Sequence, residues 1–172
     1  MRTLLVSSIQ ELWPTKNPVL FVDESCLKYG VRHIWENLDL AITQSLCFDQ
    51  KTDDADYEVR IQLYRSIFPD VVSFLNNYHG VRHSDRYWRI VIDHWLMRAI
   101  DLIQMRYKKI EKSLASNLVN EVIVSTGRVI EHPKATSHDF YHALHGESDS
   151  ALVNEEIVRT LALKFAEVKV IE

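Results

Sequence analysis

Short apolar runs alternate along the chain with longer stretches in which apolar residues recur at helical spacing. The opening "RTLLVSS" predicts a first β-strand, and the run "VLFV" at residues 19–22 predicts a second strand that is buried on both faces. "EVIVSTG" and the terminal "VKVIE" predict two further strands. The second strand is followed directly by Asp23 and Glu24, at the end of a strand where open α/β sheets bind ligands.

Apolar positions three and four residues apart predict two long helices, over residues 54–77 and 84–113. Ser84 is the expected N-cap of the second, and Pro69 predicts a kink in the first or its end at Phe68. Shorter helices are predicted in "IWENLDLAITQSL" and over residues 137–145 and 150–166. Strands that alternate with helices predict one α/β domain over residues 1–172, Rossmann-like, with a mainly parallel sheet and long helices.

Composition narrows the classes of protein that the chain can belong to. The 172 residues are 47% hydrophobic and 26% charged, as in globular proteins, and the net charge of −4 argues against a nucleic-acid partner. The first apolar stretch is too short for a signal peptide or a transmembrane segment, so a cytoplasmic location is expected. Two cysteines make no disulfide framework, and Cys26 is expected to be buried and inert.

The tetrapeptide "GVRH" occurs twice, starting at Gly30 and at Gly80, in surroundings that do not match. The two copies are therefore not an internal repeat, which would share an apolar framework over 20 to 50 residues. The second copy lies in "HGVRHSDRYWR", at the start of the predicted helix that Ser84 caps.

The segment around this second copy is rich in arginine, histidine and aromatic residues. Guanidinium groups and the free amides of a first helical turn both bind phosphate or carboxylate, and aromatic faces suit a sugar ring or a base. The segment is therefore a candidate site for an anionic or glycosyl ligand, formed by His83, Ser84, Arg86, Tyr87, Trp88 and Arg89. The structural alternative is that the aromatic residues are core and the arginines pair with Asp85 or with other acids.

Two residues are candidates for acid/base chemistry. Glu24 follows the buried second strand, and His79 precedes the second "GVRH". The alternative for the strand end is that Asp23 or Glu24 caps a turn or pairs with Arg32. Three histidines at helical spacing could bind a transition metal, but an exposed histidine face explains them better: His138, His142 and His145. No metal and no cofactor is therefore predicted.

Three segments together resemble a known family. "PVLFVDESCLKY", "RHIWENLD" and "HGVRHSDRYWRIVIDHWL" are similar to the N-terminal region of transferases of bacterial O-antigen and surface-polysaccharide loci, of the Leptospira type. The positions that carry the resemblance are Glu24, Cys26, Leu27, Trp35, Asn37, Leu38, Asp39, His79, Gly80, Ser84, Arg86, Tyr87, Trp88 and Arg89. The chain departs from the family pattern at Asp23 and Ser25, where Gly and Trp are expected, and at Asp93 and His94, where Gly-Pro is expected.

The resemblance implies the N-terminal half of a two-domain, glycosyltransferase-like fold. The chain is then expected to lack a C-terminal donor-binding domain and to be inactive without it. An activated-sugar donor and a glycan or lipid-linked acceptor are the implied partners, with Glu24 and His79 as catalytic candidates. Two alternatives stay open from the residues alone. One is a non-catalytic interaction module built on the two long helices, and the other is a metal-dependent hydrolase that uses the histidines.

Overall fold

A computed structural model describes residues 1–14, 18–44, 46, 50–116, 118–125, 147–165 and 167–171. Five strands form one sheet: β1 (Arg2–Leu5), β2 (Val19–Phe21), β3 (Leu40–Ile42), β4 (Val119–Ile123) and β5 (Lys169–Ile171). Their order is β3-β2-β1-β4-β5, and every neighbouring pair is parallel. The predicted α/β class with a parallel, Rossmann-like sheet is confirmed.

Continuous apolar residues place β2 and the end of β1 in the middle of the sheet. Leu4 and Leu5 of β1 pair with Leu20 and Phe21 of β2 on one side, and with residues 122 and 123 of β4 on the other. All three residues of β2 are buried, as the sequence predicts. A parallel strand in the middle of a sheet is covered on both faces, so its residues are apolar in succession instead of alternating.

The third strand corrects the prediction of a helix across "IWENLDLAITQSL". Only Arg32–Trp35 is helical (α1), and Leu40–Ile42 extends alongside β2 in register with Val19–Phe21. The backbone N–H of Val19 donates to Asp39 at 2.9 Å, and that of Thr43 donates to Phe21 at 2.8 Å. These hydrogen bonds pair the backbone polar groups of β2. The stabilisation from this non-local pairing outweighs the helix preference of the local sequence.

The long helices are α2 (Gln50–His79), α3 (Asp85–Leu114) and α4 (Glu147–Ala162). The helix α2 continues through Pro69, so the alternative in which a helix ends at Phe68 is wrong. Phe68 and Val72 on either side of the proline are buried, and their packing offsets the backbone hydrogen bond that proline cannot make. The helix predicted over residues 137–145 lies outside the described residues.

The chain divides into two compact units, and a single domain over residues 1–172 stays a prediction. Unit 1 comprises residues 1–45 and 106–172; its core lies on the sheet and includes Leu4, Phe21, Ile110, Val158 and Leu161. Unit 2 comprises residues 46–105, whose core is Phe68, Val72, Trp88, Leu96 and Ile100. None of the helices in the described ranges combines the length and the apolar content that a membrane span requires.

A tight turn joins α2 to α3 in unit 2. Gly80 follows the last residue of α2 with φ of 64°, in the left-handed region. The N–H of Val81 donates to the carbonyl of Asn76 at 3.0 Å, which closes the helix end in the Schellman pattern. Glycine is required here because a side chain disfavours this backbone conformation.

The two "GVRH" glycines provide a matched pair for testing that requirement. We expect Gly80→Ala to lower the free energy of unfolding by about 1 kcal/mol, because alanine must adopt a positive φ. Gly30→Ala should leave it nearly unchanged, because Gly30 has no positive φ and a Cβ there meets no atom within 4 Å. Urea unfolding of both variants measures this difference, and equal effects at the two positions would contradict the assignment of the turn.

Candidate functional site

The strand order creates a topological switch point at the carboxyl edge of the sheet. From β1 the chain proceeds to β2 and β3 on one side, and later to β4 and β5 on the other side. The crossovers that leave β1 and β4 therefore diverge, which is where open parallel sheets bind ligands. Polar residues follow the strands at this edge: Ser7 and Ser8 after β1, Asp23 and Glu24 after β2, and Ser125 after β4.

Asp23 and Glu24 have different surroundings although they are adjacent. The Asp23 carboxylate accepts a hydrogen bond from the backbone N–H of Ser25 at 2.8 Å and forms an ion pair with Lys109. Desolvation lowers the pKa of that lysine. The capping alternative is thus confirmed for Asp23, and Arg32 pairs instead with Glu36 at 2.9 Å. Glu24 is exposed at the start of a one-turn 3₁₀ helix, so its side chain is accessible at the carboxyl edge of the sheet.

Cys26 follows Glu24 by two residues and is buried, as predicted. Burial raises the pKa of its thiol from 9.0 to about 12, and the nearby Arg106 guanidinium offsets only part of that effect. Because the thiolate is the nucleophilic form, Cys26 is unsuited to covalent catalysis at neutral pH.

A second set of polar side chains, which sequence reasoning missed, forms hydrogen bonds at the ends of β1 and β4. Asn154 of α4 donates its side-chain amide to the carbonyl of Val6 at 2.7 Å, and Arg106 donates to Asn154 at 3.3 Å. The next residue, Glu155, is fully buried and accepts a hydrogen bond from the Ser125 hydroxyl at 2.6 Å. One signal could have revealed it. Glu155 lies four residues after Ala151 and three before Val158, so an acid occupies the apolar stripe of a helix.

In unit 2, Asn76 organises the turn between the long helices. Its side-chain oxygen accepts from the His83 backbone at 3.0 Å and from the Trp88 indole at 2.9 Å, and its amide donates to the His83 carbonyl at 3.1 Å. Ser84 accepts from the N–H of Tyr87 at 3.3 Å and so acts as the predicted N-cap. Sequence reasoning overlooked Asn76, because a helix-interior asparagine gives no local sign of distant partners.

The other residues of the predicted ligand site surround this turn. Trp88 is buried in the core of unit 2, whereas His79, His83 and Tyr87 are exposed. The rings of His83 and Tyr87 are 3.9 Å apart between centroids, and that of His79 lies 6.1 Å from that of Trp88. The structure therefore groups these residues around one turn, with one aromatic residue in the core.

The two arginines are not neutralised by acids in the described part of the chain. Arg86 is exposed and forms no ion pair there, so the proposed pairing with Asp85 is not observed. Arg89 lies over the ring of Phe68, with its guanidinium carbon 5.2 Å from the ring centroid. Both guanidinium groups consequently keep hydrogen-bond donors for an anion. Glu24 belongs to unit 1 and the other seven predicted site residues belong to unit 2.

The two positions of α3 that depart from the family pattern have local roles in unit 2. Asp93 accepts a hydrogen bond from the Tyr64 hydroxyl, and burial together with this bond raises the pKa of Tyr64 to about 12. His94 lines a shallow depression of about 190 Å³ together with Tyr57, Arg60, Met97, Arg98 and Asp101. None of the eight predicted site residues lines this depression.

The alternatives from the sequence meet different outcomes. On α2, the exposed residues Val59, Leu63, Ile67, Phe74 and Tyr78 form one apolar face, the surface that an interaction module would use. That alternative stays a prediction. The three histidines of the metal-site alternative lie outside the described residues, and the described ones hold no cluster of three histidine, cysteine or acidic residues suited to a metal ion.

The family model described as LIC12162 family transferase matches residues 2–169, which is nearly the whole chain. No curated protein and no solved structure matches the sequence.

The role of Asn76 leads to a stability prediction. We expect Asn76→Ala to lower the free energy of unfolding by about 2 kcal/mol, because the Trp88 indole and both backbone groups of His83 lose their partner. Asn77→Ala is the matched control and should change it little, since the Asn77 side chain is exposed. Urea unfolding monitored by tryptophan fluorescence provides the measurement, and equal values for the two variants would argue against this role.

The burial of Cys26 leads to a chemical prediction. In a Cys47→Ser variant, iodoacetamide at pH 8 should alkylate Cys26 roughly a thousandfold more slowly in the folded protein than in urea, because a pKa near 12 leaves little thiolate. Mass spectrometry of timed samples gives both rates. Comparable rates in the folded and unfolded protein would contradict the buried, protonated state.

Proposed function

The chain belongs to the LIC12162 family of transferases, and on this premise we propose that it is the acceptor-side α/β domain of a glycosyltransferase-like enzyme. The enzyme acts in the assembly of bacterial surface polysaccharide or O-antigen. Its substrates are an activated-sugar donor and a glycan or lipid-linked acceptor. The resemblance of the strand-end and helix-start segments to transferases of such loci supports this finer assignment.

The observation that carries the proposal is the polar carboxyl edge of the parallel sheet. Around the switch point between β1 and β4 lie hydroxyl, carboxyl, amide and guanidinium groups, from Ser125, Glu155, Asn154 and Arg106. Such groups hold the hydroxyls and the charges of a sugar substrate by hydrogen bonds.

The turn of unit 2 supplies the anion-binding part of the proposal. Arg86 and Arg89 hold a phosphate or carboxylate of the substrate, next to the free amides of the first turn that Ser84 caps. The exposed pair of His83 and Tyr87 provides a flat surface for a sugar ring. Trp88 contributes from the core, where its bond to Asn76 fixes the turn.

Glu24 and His79 are the proposed acid/base residues. A transferase must remove the proton of the acceptor hydroxyl as that oxygen attacks the donor carbon and the bond from this carbon to the activating group breaks. A carboxylate or an imidazole can accept the proton, and the activating group leaves with the bonding electron pair. Both side chains are exposed, which leaves them accessible to a substrate. The position of Glu24 at the carboxyl edge supports its assignment as the acid/base residue. The adjacent Asp23 is less suited to that role because its carboxylate forms an ion pair with Lys109.

Anion binding tests the proposal directly on this chain. With glucose 1-phosphate and glucuronic acid as probes, Arg86→Ala and Arg89→Ala should each weaken binding about tenfold, because a charge-assisted hydrogen bond is lost. Arg65→Ala removes an exposed arginine of α2, outside the proposed site, and should leave the affinity for both probes unchanged. Titration by NMR gives the dissociation constants.

The two arginine variants and Glu24→Gln are then assayed for sugar transfer by the enzyme. Glu24→Gln should reduce the rate of transfer by about a hundredfold or more while binding stays the same, as expected for an acid/base residue. If the two arginine variants retained both binding and transfer, the anion-binding role would be wrong. If Glu24→Gln were fully active, the base would have to be sought elsewhere.

A further inference from the structure

Glu155 is the most unusual polar side chain in the described part of unit 1. It is 1% exposed and lies among core residues of α4, with Val158 and Leu161 fully buried on the same helix. One carboxyl oxygen, Oε2, accepts the hydrogen bond from Ser125. The other, Oε1, is buried and has no hydrogen-bond partner within the described residues. A buried oxygen without a partner destabilises the fold, so its retention calls for a cause.

The position of Glu155 suggests what that cause is. The neighbouring residue, Asn154, donates a hydrogen bond to the carbonyl of Val6, just after β1. Ser125, which donates to Glu155, lies just after β4. Arg159, one turn further along α4, donates to the carbonyl of Ser125 at 3.0 Å. The unpaired oxygen is therefore held by a rigid frame at the switch point, where this class of sheet binds ligands.

The chemistry of the surroundings selects the kind of ligand. A carboxyl oxygen needs a hydrogen-bond donor, and the described residues offer no cluster of three ligating groups for a metal ion. The hydroxyls of Ser7 and Ser8, which follow β1 after Val6, can both donate and accept. A polyhydroxylated ring presents neighbouring O–H groups that match such a mixture of partners.

We propose that Glu155, with Ser125 and the Ser7–Ser8 segment, forms a sugar-hydroxyl subsite at the β1–β4 switch point. Glu155 Oε1 accepts a hydrogen bond from one hydroxyl of a neutral pyranose ring. The identification of this ring as the acceptor sugar rests on the proposed function, whereas the subsite itself rests on the unpaired buried oxygen. Anion recognition by Arg86 and Arg89 is a separate interaction.

Neutral methyl glycosides test the subsite without involving the anion-binding residues. We expect methyl α-D-glucopyranoside, mannopyranoside or galactopyranoside to bind the wild-type chain saturably, as measured by saturation-transfer NMR. Glu155→Gln preserves the shape and can still accept from Ser125, but it replaces the free oxygen by an amide. It should weaken glycoside binding about tenfold, since a hydrogen bond to the carboxyl oxygen is lost.

Three controls make the outcome decisive. Glu58→Gln applies the same substitution to an exposed glutamate of unit 2 and should leave binding unchanged. Ser125→Ala removes the hydroxyl that orients Glu155 without adding volume, so it should weaken binding even if Glu155→Gln does not fold. Arg86→Ala should not affect neutral glycosides, which separates a failure of this subsite from a failure of the proposed anion site.

Two results would overturn the inference. The first is that none of the three glycosides binds the wild-type chain saturably up to 100 mM, roughly the weakest affinity expected of a few hydrogen bonds. The second is that Glu155→Gln alters thermal unfolding but not glycoside binding. In that case the unpaired oxygen would have a structural partner, such as a buried water molecule, and no ligand.

Discussion

The parallel pairing of β1 with both β2 and β4 is the constraint on which the rest of unit 1 depends. Parallel strands place their carboxyl ends on the same edge, so the residues that follow β1, β2 and β4 are brought together whatever their separation in sequence. Such strands must also be covered on both faces, and this accounts for the apolar runs in the chain and for the helices between them. The polar groups at the edge are thus held by a sheet whose own residues are mostly apolar.

The two copies of "GVRH" show how little a short segment determines by itself. In the first, the glycine lies in a 3₁₀ turn that leads into α1; in the second, it ends α2 with a positive φ. The conformation of the second copy depends on Asn76, which precedes it by one helical turn. The side-chain oxygen of Asn76 accepts hydrogen bonds from the His83 backbone and the Trp88 indole. Neighbouring elements and not the four residues themselves decide the conformation.

The two regions considered for function differ in their chemistry. The turn of unit 2 exposes guanidinium groups and amides, which suit an anion, whereas the sheet edge of unit 1 holds a buried carboxyl group and hydroxyls, which suit a neutral ring. The proposed activated-sugar donor carries both kinds of group. Membership of a transferase family is consistent with either region taking part, and the different charges allow each to be tested on its own.

The sequence by itself determined the α/β class, four of the five strands, the long helices and the Ser84 cap, because apolar periodicity and capping are local properties. It also placed Glu24 at a strand end and Arg86 and Arg89 at a helix start. Only the tertiary structure decided that residues 40–42 form a strand, that Asn76 holds the turn, and that Glu155 is buried with one oxygen unpaired. Each of these depends on partners that are distant along the chain or lie in another element. A local pattern does not record such pairings, even at Glu155, where an acid in an apolar stripe signals burial but not its partner.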